Sequence, residues 1–287
     1  RDRSPSRGLG DVYKRQLGYS MVYGIIQLIN FAHGDIIMVG GYVVFVVMVQ
    51  LGLPLWAAVI LSIAVCTLLG VVIERLAYHR LLVKDAPRLS LLITAIGVSI
   101  FLQNLFQLGF TSSAQSMPVM FPNKVITLGS LQLSFSTVLN ILVSIAMMIL
   151  LELIVNKSKM GKAMRATSED AGAAKLMGIN TNSTIAFTFA IGSALAAVGA
   201  VLYSNTFHQI TPYMGGMLGL KAFVAAVLGG IGNIPGAMLG GILIGLIEIF
   251  VKLFAPGWYE AVTYGTLIVI LLVKPSGILG KNVGEKV

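Results

Sequence analysis

Apolar residues run along this chain in stretches separated by short polar, glycine- and proline-bearing segments. Most stretches approach the roughly 20 residues that a helix needs to cross hydrocarbon about 30 Å thick. The pattern predicts a remnant at Leu17–Ile29, then Ile36–Gln50, Leu53–Ile73, Leu89–Gly109, Phe135–Val155, Ser183–Tyr203, Met217–Ile231, Gly236–Phe254 and Trp258–Val273. Ile36–Gln50 and Met217–Ile231 are short or interrupted by glycine, and non-helical backbone survives at membrane depth only when packed in protein or lining a cavity. Both read as re-entrant or broken helices inside an all-α, polytopic transmembrane helical bundle of about eight to nine segments. Small residues at four-residue spacing, Gly192/Ala196/Ala200 and Gly236/Gly240, predict close helix packing.

Composition agrees with the pattern: 56% of residues are hydrophobic, 11% are charged, and the mean hydropathy is +0.89. Those values exclude an ordinary soluble domain. The start of the chain breaks the pattern, because Arg1–Gln16 is a charged run interrupted by Pro and Gly, lacks an initiator Met and abuts Leu17 in mid-stretch. It resembles translated sequencing-adapter read-through, so residues 1–16 read as a non-native segment and 17–287 as a single transmembrane domain, with the native start and part of a first span expected to be missing. Setting aside Arg1, Arg3, Arg7, Lys14 and Arg15 with Asp2 and Asp11 lowers the formal net charge from +9 to +6.

The remaining charges give the chain a direction. The hydrophilic segment Asn156–Asn180, within a loop spanning 156–182, carries Lys157, Lys159, Lys162 and Arg165 beside a membrane stretch. Such an excess of cations marks the cytoplasmic side. Alternating outward from it puts Glu74–Arg88, with Arg75, Arg80, Lys84 and Arg88, and the tail from Lys274, with Lys281 and Lys286, on that same side, whereas only Lys124, Lys221 and Lys252 fall elsewhere. Cations in short loops set topology and meet the anionic headgroups of membrane lipid, which argues against a nucleic-acid partner. The second half of the loop, Ala163–Met177, is rich in helix formers, with Gly178 and Asn180 as stop signals. On the opposite side, Phe110–Ser134 reads as an exposed turn-rich segment around Pro118, Pro122 and Asn123.

Chemistry-bearing residues are few. No Ser/His/Asp order, metal-ligand spacing or carboxylate pair supports an enzyme, so the chain reads as a transport subunit whose energy source lies elsewhere. Asn30, His33, Gly34 and Asp35 interrupt the first apolar region, either as a hinge or path-lining element or as an ordinary turn with a capping side chain. His33 and Asp35 have too few companions for a zinc centre, since only His79 and His208 remain as histidines. Gly229, Gly230, Gly232 and Gly236 form the densest glycine run; it lacks a phosphate-loop lysine and reads either as a broken helix facing a path or as tight packing. Glu248 and Lys252, four apart with the acid first, predict a local ion pair. Cys66, the lone cysteine, reads as a small buried hydrophobe.

Five stretches, in order, carry a resemblance: Gly18–Tyr42 (GYSMVYGIIQLINFAHGDIIMVGGY), Ser90–Asn104, Met160–Asn180 (MGKAMRATSEDAGAAKLMGIN), Lys221–Gly241 (KAFVAAVLGGIGNIPGAMLGG) and Lys274–Gly280 (KPSGILG). Together they resemble the permease subunits of branched-chain amino acid ABC importers, specifically the smaller of the two paired permeases, across Leu17–Val287. The resemblance implies a multi-pass subunit of the bacterial inner membrane with a cytoplasmic C-terminus. Its implied partners are a second homologous permease, two cytoplasmic ATP-binding subunits that hold ATP and Mg, and a periplasmic amino-acid-binding protein; no cofactor is expected in this chain. It makes the helix within Ala163–Met177 a coupling element, with Arg165, Glu169 and Asp170 as charged contacts, Ala166 and Ala173 allowing close approach, and Gly161 and Gly178 completing the set. It adds Asn104 to Asn30 and His33 as polar groups along the substrate path. Urea or short-amide permeases share a similar Ala-His-Gly-acid element and remain the nearest alternative. Ribose- or nucleoside-type permeases are more distant, and an ATP-independent transporter or channel predicts inverted repeats or ion-coupling charges that are not evident here.

Overall fold

Polar side chains at helix starts and left-handed residues at helix ends punctuate an almost wholly helical chain. The computed structural model describes residues 32–84, 86–121, 125–128, 131–230, 233–274 and 276–280. The segment 1–16, the remnant Leu17–Ile29, Asn30, Lys124, Ile231, Gly232, Lys281 and Lys286 lie outside those residues. Helix α1 (Ala32–Phe45) passes into a π-helical turn at Val46–Gln50. Helix α2 (Leu55–Ile73) runs through a second π turn, Glu74–Tyr78, into α3 (His79–Val83). There follow α4 (Arg88–Phe110), α5 (Phe135–Lys157), α6 (Lys159–Glu169), α7 (Ala171–Leu176) and α8 (Thr181–Phe207). The chain continues with α9 (Met214–Gly229), α10 (Ile234–Phe254) and, after a 3-10 turn at Pro256–Trp258, α11 (Tyr259–Val273).

Seven helical segments among the described residues are long and apolar enough to cross a membrane, and Met214–Gly229 is a shorter apolar helix. Two expectations change. Ile36–Gln50 is not re-entrant: it belongs to a helical segment, Ala32–Gln50, of 19 residues, whose Gly40 and Gly41 serve contacts rather than a break. Residues Glu74–Val83, read as loop, extend the second span to Leu55–Val83. The physical reason is local charge compensation: buried Glu74 lies 3.6 Å from Arg75 Nε and 3.5 Å from His79 Nδ1, so the acid stays inside the helix instead of ending it. The loop after α4 also contains short strands, with β1 (Gln115–Ser116) paired to β4 (Gln209–Ile210) and β2 (Val125–Leu128) paired to β3 (Leu131–Ser134), both antiparallel.

The described chain divides into two compact units, one of Leu28–Ile154 with Asn180–Leu220 and the other of Val155–Ile179 with Lys221–Val287. In the first, α8 packs against α1 and α2, and α1 also meets α4. A Cβ added at Gly40 would lie 2.9 Å from Ala200 Cβ, and one at Gly70 would land on the Ser193 side chain. The Gly40 carbonyl accepts from Ser62 Oγ at 3.1 Å, and buried Cys66 Sγ reaches the Ile36 carbonyl at 3.5 Å. In hydrocarbon, helices gain little from apolar burial alone, so such backbone-level approach is what joins them.

In the second unit α10 packs on α11 over Val224, Leu228 and Ile244, with Tyr264, Leu267 and Ile270 against them. The glycine run and the C-terminal tail interlock. Ile278 and Leu279 donate their amides to the carbonyls of Leu228 (2.8 Å) and Gly229 (3.1 Å). Gly230 has φ +105, and a Cβ there would lie 2.5 Å from the Gly280 nitrogen, so a side chain is excluded by both conformation and space.

Gly70→Val overpacks the α2–α8 seam and is expected to cost about 1–3 kcal/mol. Its thermal midpoint in detergent should fall by several degrees, whereas Gly245→Val, which meets open space, should leave the midpoint unchanged.

Candidate functional site

The segment between α5 and α8 is two helices and not the single one expected across Ala163–Met177. Ser158 caps α6 by accepting from Gly161 N at 2.8 Å, and Asp170, in extended conformation, leaves α6 and caps α7 through Ala173 N at 2.9 Å. Asp170 therefore makes a corner. Gly178, with φ +82, ends α7 as expected. Asn180 is a start rather than a stop, because its side chain accepts from Ser183 N at 3.1 Å at the head of α8.

Within this segment the expected coupling residues separate into two groups. Gly161 is buried together with Met164 and Thr167. Arg165 turns inward, donating from Nη1 to the Val155 carbonyl at 2.9 Å and to Asn156 Oδ1 at 2.8 Å, so it clamps the C-terminal turn of α5. Ala166 is half-buried, while Glu169, Asp170, Ala173 and Gly178 are exposed. Beside them stand two large apolar side chains, Leu176 at 90% and Met177 at 81% exposure, which the sequence presented merely as the end of a helix.

A second constellation gathers around Asp35. It is fully buried in the first turn of α1, and its Oδ1 accepts from Gln103 Nε2 at 2.9 Å, with Ser99 Oγ 3.2 Å from the same nitrogen. The first turn of α9 closes the site at backbone level: a Cβ at Gly34 would land on the Gly215 carbonyl, and one at Gly215 would lie 2.8 Å from Asp35 Oδ1. The positive end of the α9 dipole thus faces the carboxylate. Asp35 Oδ2 has no hydrogen-bond partner among the described residues. Two turns along α1, the ring of buried Tyr42 sits 5.1 Å from Phe106 and 4.7 Å from Phe110, and its hydroxyl is also unpartnered. His33 lies near Gly192. Asn104 is not part of this group; it is exposed and donates to the Ile100 carbonyl of its own helix at 2.7 Å. Its neighbour Gln103, which the sequence did not single out, is the residue that meets Asp35.

A third polar cluster compensates its own charge. Glu248 pairs with Lys252 at 3.7 Å, as the spacing predicts, but its nearer cation is Lys221 at 2.8 Å, supplied by α9. Thr263 Oγ1 lies 3.3 Å from the same carboxylate, and the Tyr259 ring stacks under Lys252 at 4.3 Å and Lys221 at 5.3 Å. Among the described residues no group of three or more His, Cys, Asp or Glu side chains converges to hold a metal ion. The close approaches at Gly229, Gly230 and Gly236 account for those glycines by packing.

Comparison with known proteins fits this helical, small-residue architecture. A family described as branched-chain amino acid transport system / permease component matches residues 16–272. The high-affinity branched-chain amino acid transport system permease protein BraD of Pseudomonas aeruginosa is 43% identical over 284 residues, covering 94% of this chain and 92% of its own. The corresponding permease proteins named LivH from Salmonella typhimurium and Escherichia coli K12 are 43% and 42% identical over 293 residues, each covering 97% of this chain and 94% of their own. No solved structure matches the chain.

Lys221→Met removes the nearer partner of Glu248 and is expected to destabilise the protein by about 1–3 kcal/mol, the usual cost of a lost hydrogen bond to a charged group. Lys252→Met, at a longer distance and 46% exposed, is expected to cost under about 1 kcal/mol. Thermal denaturation in detergent separates the two.

Proposed function

The chain belongs to the family of branched-chain amino acid transport permease components, and on that footing we propose that it is the translocating subunit of an ABC importer for leucine, isoleucine and valine. In this reading it lies in the bacterial inner membrane with its C-terminus in the cytoplasm and pairs with a second permease. It receives amino acid from a periplasmic binding protein and is driven by ATP hydrolysis on two separate cytoplasmic subunits.

The observation that carries this reading is the capped, two-helix segment α6–α7, a structured element between spans. Its inner side is fixed by the Arg165 clamp, and its outer side offers Glu169, Asp170, Ala173, Leu176 and Met177. A rigid element with exposed anchors can transmit a push, whereas a slack loop cannot. The step itself needs no bond chemistry in this chain. ATP-driven closure of the partner subunits shifts the α6–α7 segment, and the permease changes between outward- and inward-facing states through the difference in stability of the two packings.

Co-expression with the partner permease, both ATP-binding subunits and the binding protein, followed by reconstitution in proteoliposomes, tests the proposal. Labelled leucine uptake should require both ATP and binding protein, and Glu169→Lys should lower it at least about fivefold by reversing a charge at the docking face. Uptake of urea alone would move the chain to the amide branch, and leucine uptake without ATP or binding protein would overturn the importer reading.

A further inference from the structure

We infer that Asp35 is the acceptor for the ammonium group of the amino acid in transit, a role that rests on the proposed transport function and assigns its substrate contact. Both fully buried acids among the described residues lie in membrane-spanning segments. Glu74 has Arg75 and His79 beside it. Among the described residues Asp35 has no cation within ion-pair distance: Gln103 and the positive end of the α9 dipole stabilise it, and one carboxylate oxygen is left without a hydrogen-bond partner. A buried carboxylate is costly unless paired, and the cost is tolerated where a transient partner completes the pair.

The surroundings fit a cationic visitor. Gln103, held near Ser99, fixes Oδ1 and leaves Oδ2 as the free acceptor. The walls on the α9 side are Gly215 and Gly216, the latter 3.8 Å from Gln103 Nε2 when given a Cβ, and the wall on the α1 side is Gly34. A seam made of backbone against backbone can part without dislodging interlocked side chains. The cargo proposed here carries one ammonium group and an apolar tail, so an acceptor flanked by glycine backbone suits its charged end. The alternative role, a helix cap that merely ends the preceding turn, requires hydrogen bonding but no negative charge.

That difference makes the test. In the reconstituted complex, Asp35→Asn keeps the size of the side chain and can still bond Gln103, but removes the charge. Leucine uptake by this variant should fall at least about tenfold, the scale of losing one member of a buried charge pair. The ATP hydrolysed per leucine carried should rise in step, and Asp35→Glu should restore at least half of the uptake. Wild-type coupling in Asp35→Asn would overturn the inference, as would a parallel loss of hydrolysis and uptake, or a glutamate variant no better than asparagine. A wild-type complex that carries no leucine would instead sink the transport reading on which this one stands.

Discussion

The approach of one helix backbone to another is the constraint on which this molecule depends. Lipid tails are as apolar as the side chains they meet, so burial of leucine or isoleucine does little to choose one helix partner over another. Choice comes from fit. Gly40 against Ala200, Gly70 against Ser193, Gly34 against Gly215 and Gly229 against Gly236 each bring chains together at distances that a Cβ would forbid. Each such contact favours one register, because the positions that meet must lack a Cβ or carry a small one. The many exposed leucine, isoleucine and valine residues on the spans are then the surface offered to lipid, without a structural partner to explain.

Charge follows from the same constraint. Inside such a bundle an ionised group needs a counter-charge, a dipole or hydrogen bonds within reach, and three acids meet this differently. Glu74 is neutralised by its own helix, through a π turn that brings Arg75 and His79 to the carboxylate. Glu248 is neutralised partly by its own helix and chiefly by Lys221 on α9, with Tyr259 beneath both lysines. Asp35 is stabilised by hydrogen bonding and a helix terminus alone. The first two are static arrangements whose loss would weaken the fold. The third differs in lacking a nearby cation among the described residues, with Oδ2 left without a hydrogen-bond partner.

Much of this was legible in the apolar pattern, because a run of about 20 apolar residues has few alternatives to a spanning helix. The failures have physical causes. Glu74–Val83 looked like loop since a pattern of charge cannot reveal that neighbouring charges cancel on one helical turn. Gln103 was not singled out because composition does not give helical phase, and one residue is about 100° of rotation. Lys221 was overlooked as the main partner of Glu248 because the contact joins residues 27 positions apart on different helices. The strands Val125–Leu128 and Leu131–Ser134 did leave a signal, alternation on either side of a two-residue connection, but its polar and proline-rich surroundings read as plain turn.

The segment between α5 and α8 shows how sequence and geometry divide the work. Its cations are what the sequence offers for reading an orientation, and for that purpose any of them serves. Geometry then separates them: Arg165 is committed to the C-terminal turn of α5, where its guanidinium donates to the Val155 carbonyl and to Asn156 Oδ1. Asp170 caps α7 at the corner after α6, Gly178 ends α7 in left-handed conformation, and Asn180 caps the start of α8, so each break in the helices has its own short-range device. Beyond the capped corner, Leu176 and Met177 stand exposed at the end of α7. Two exposed apolar side chains outside the spans of a membrane protein are an unfavourable surface in water. A surface that buries them against another molecule would remove that cost.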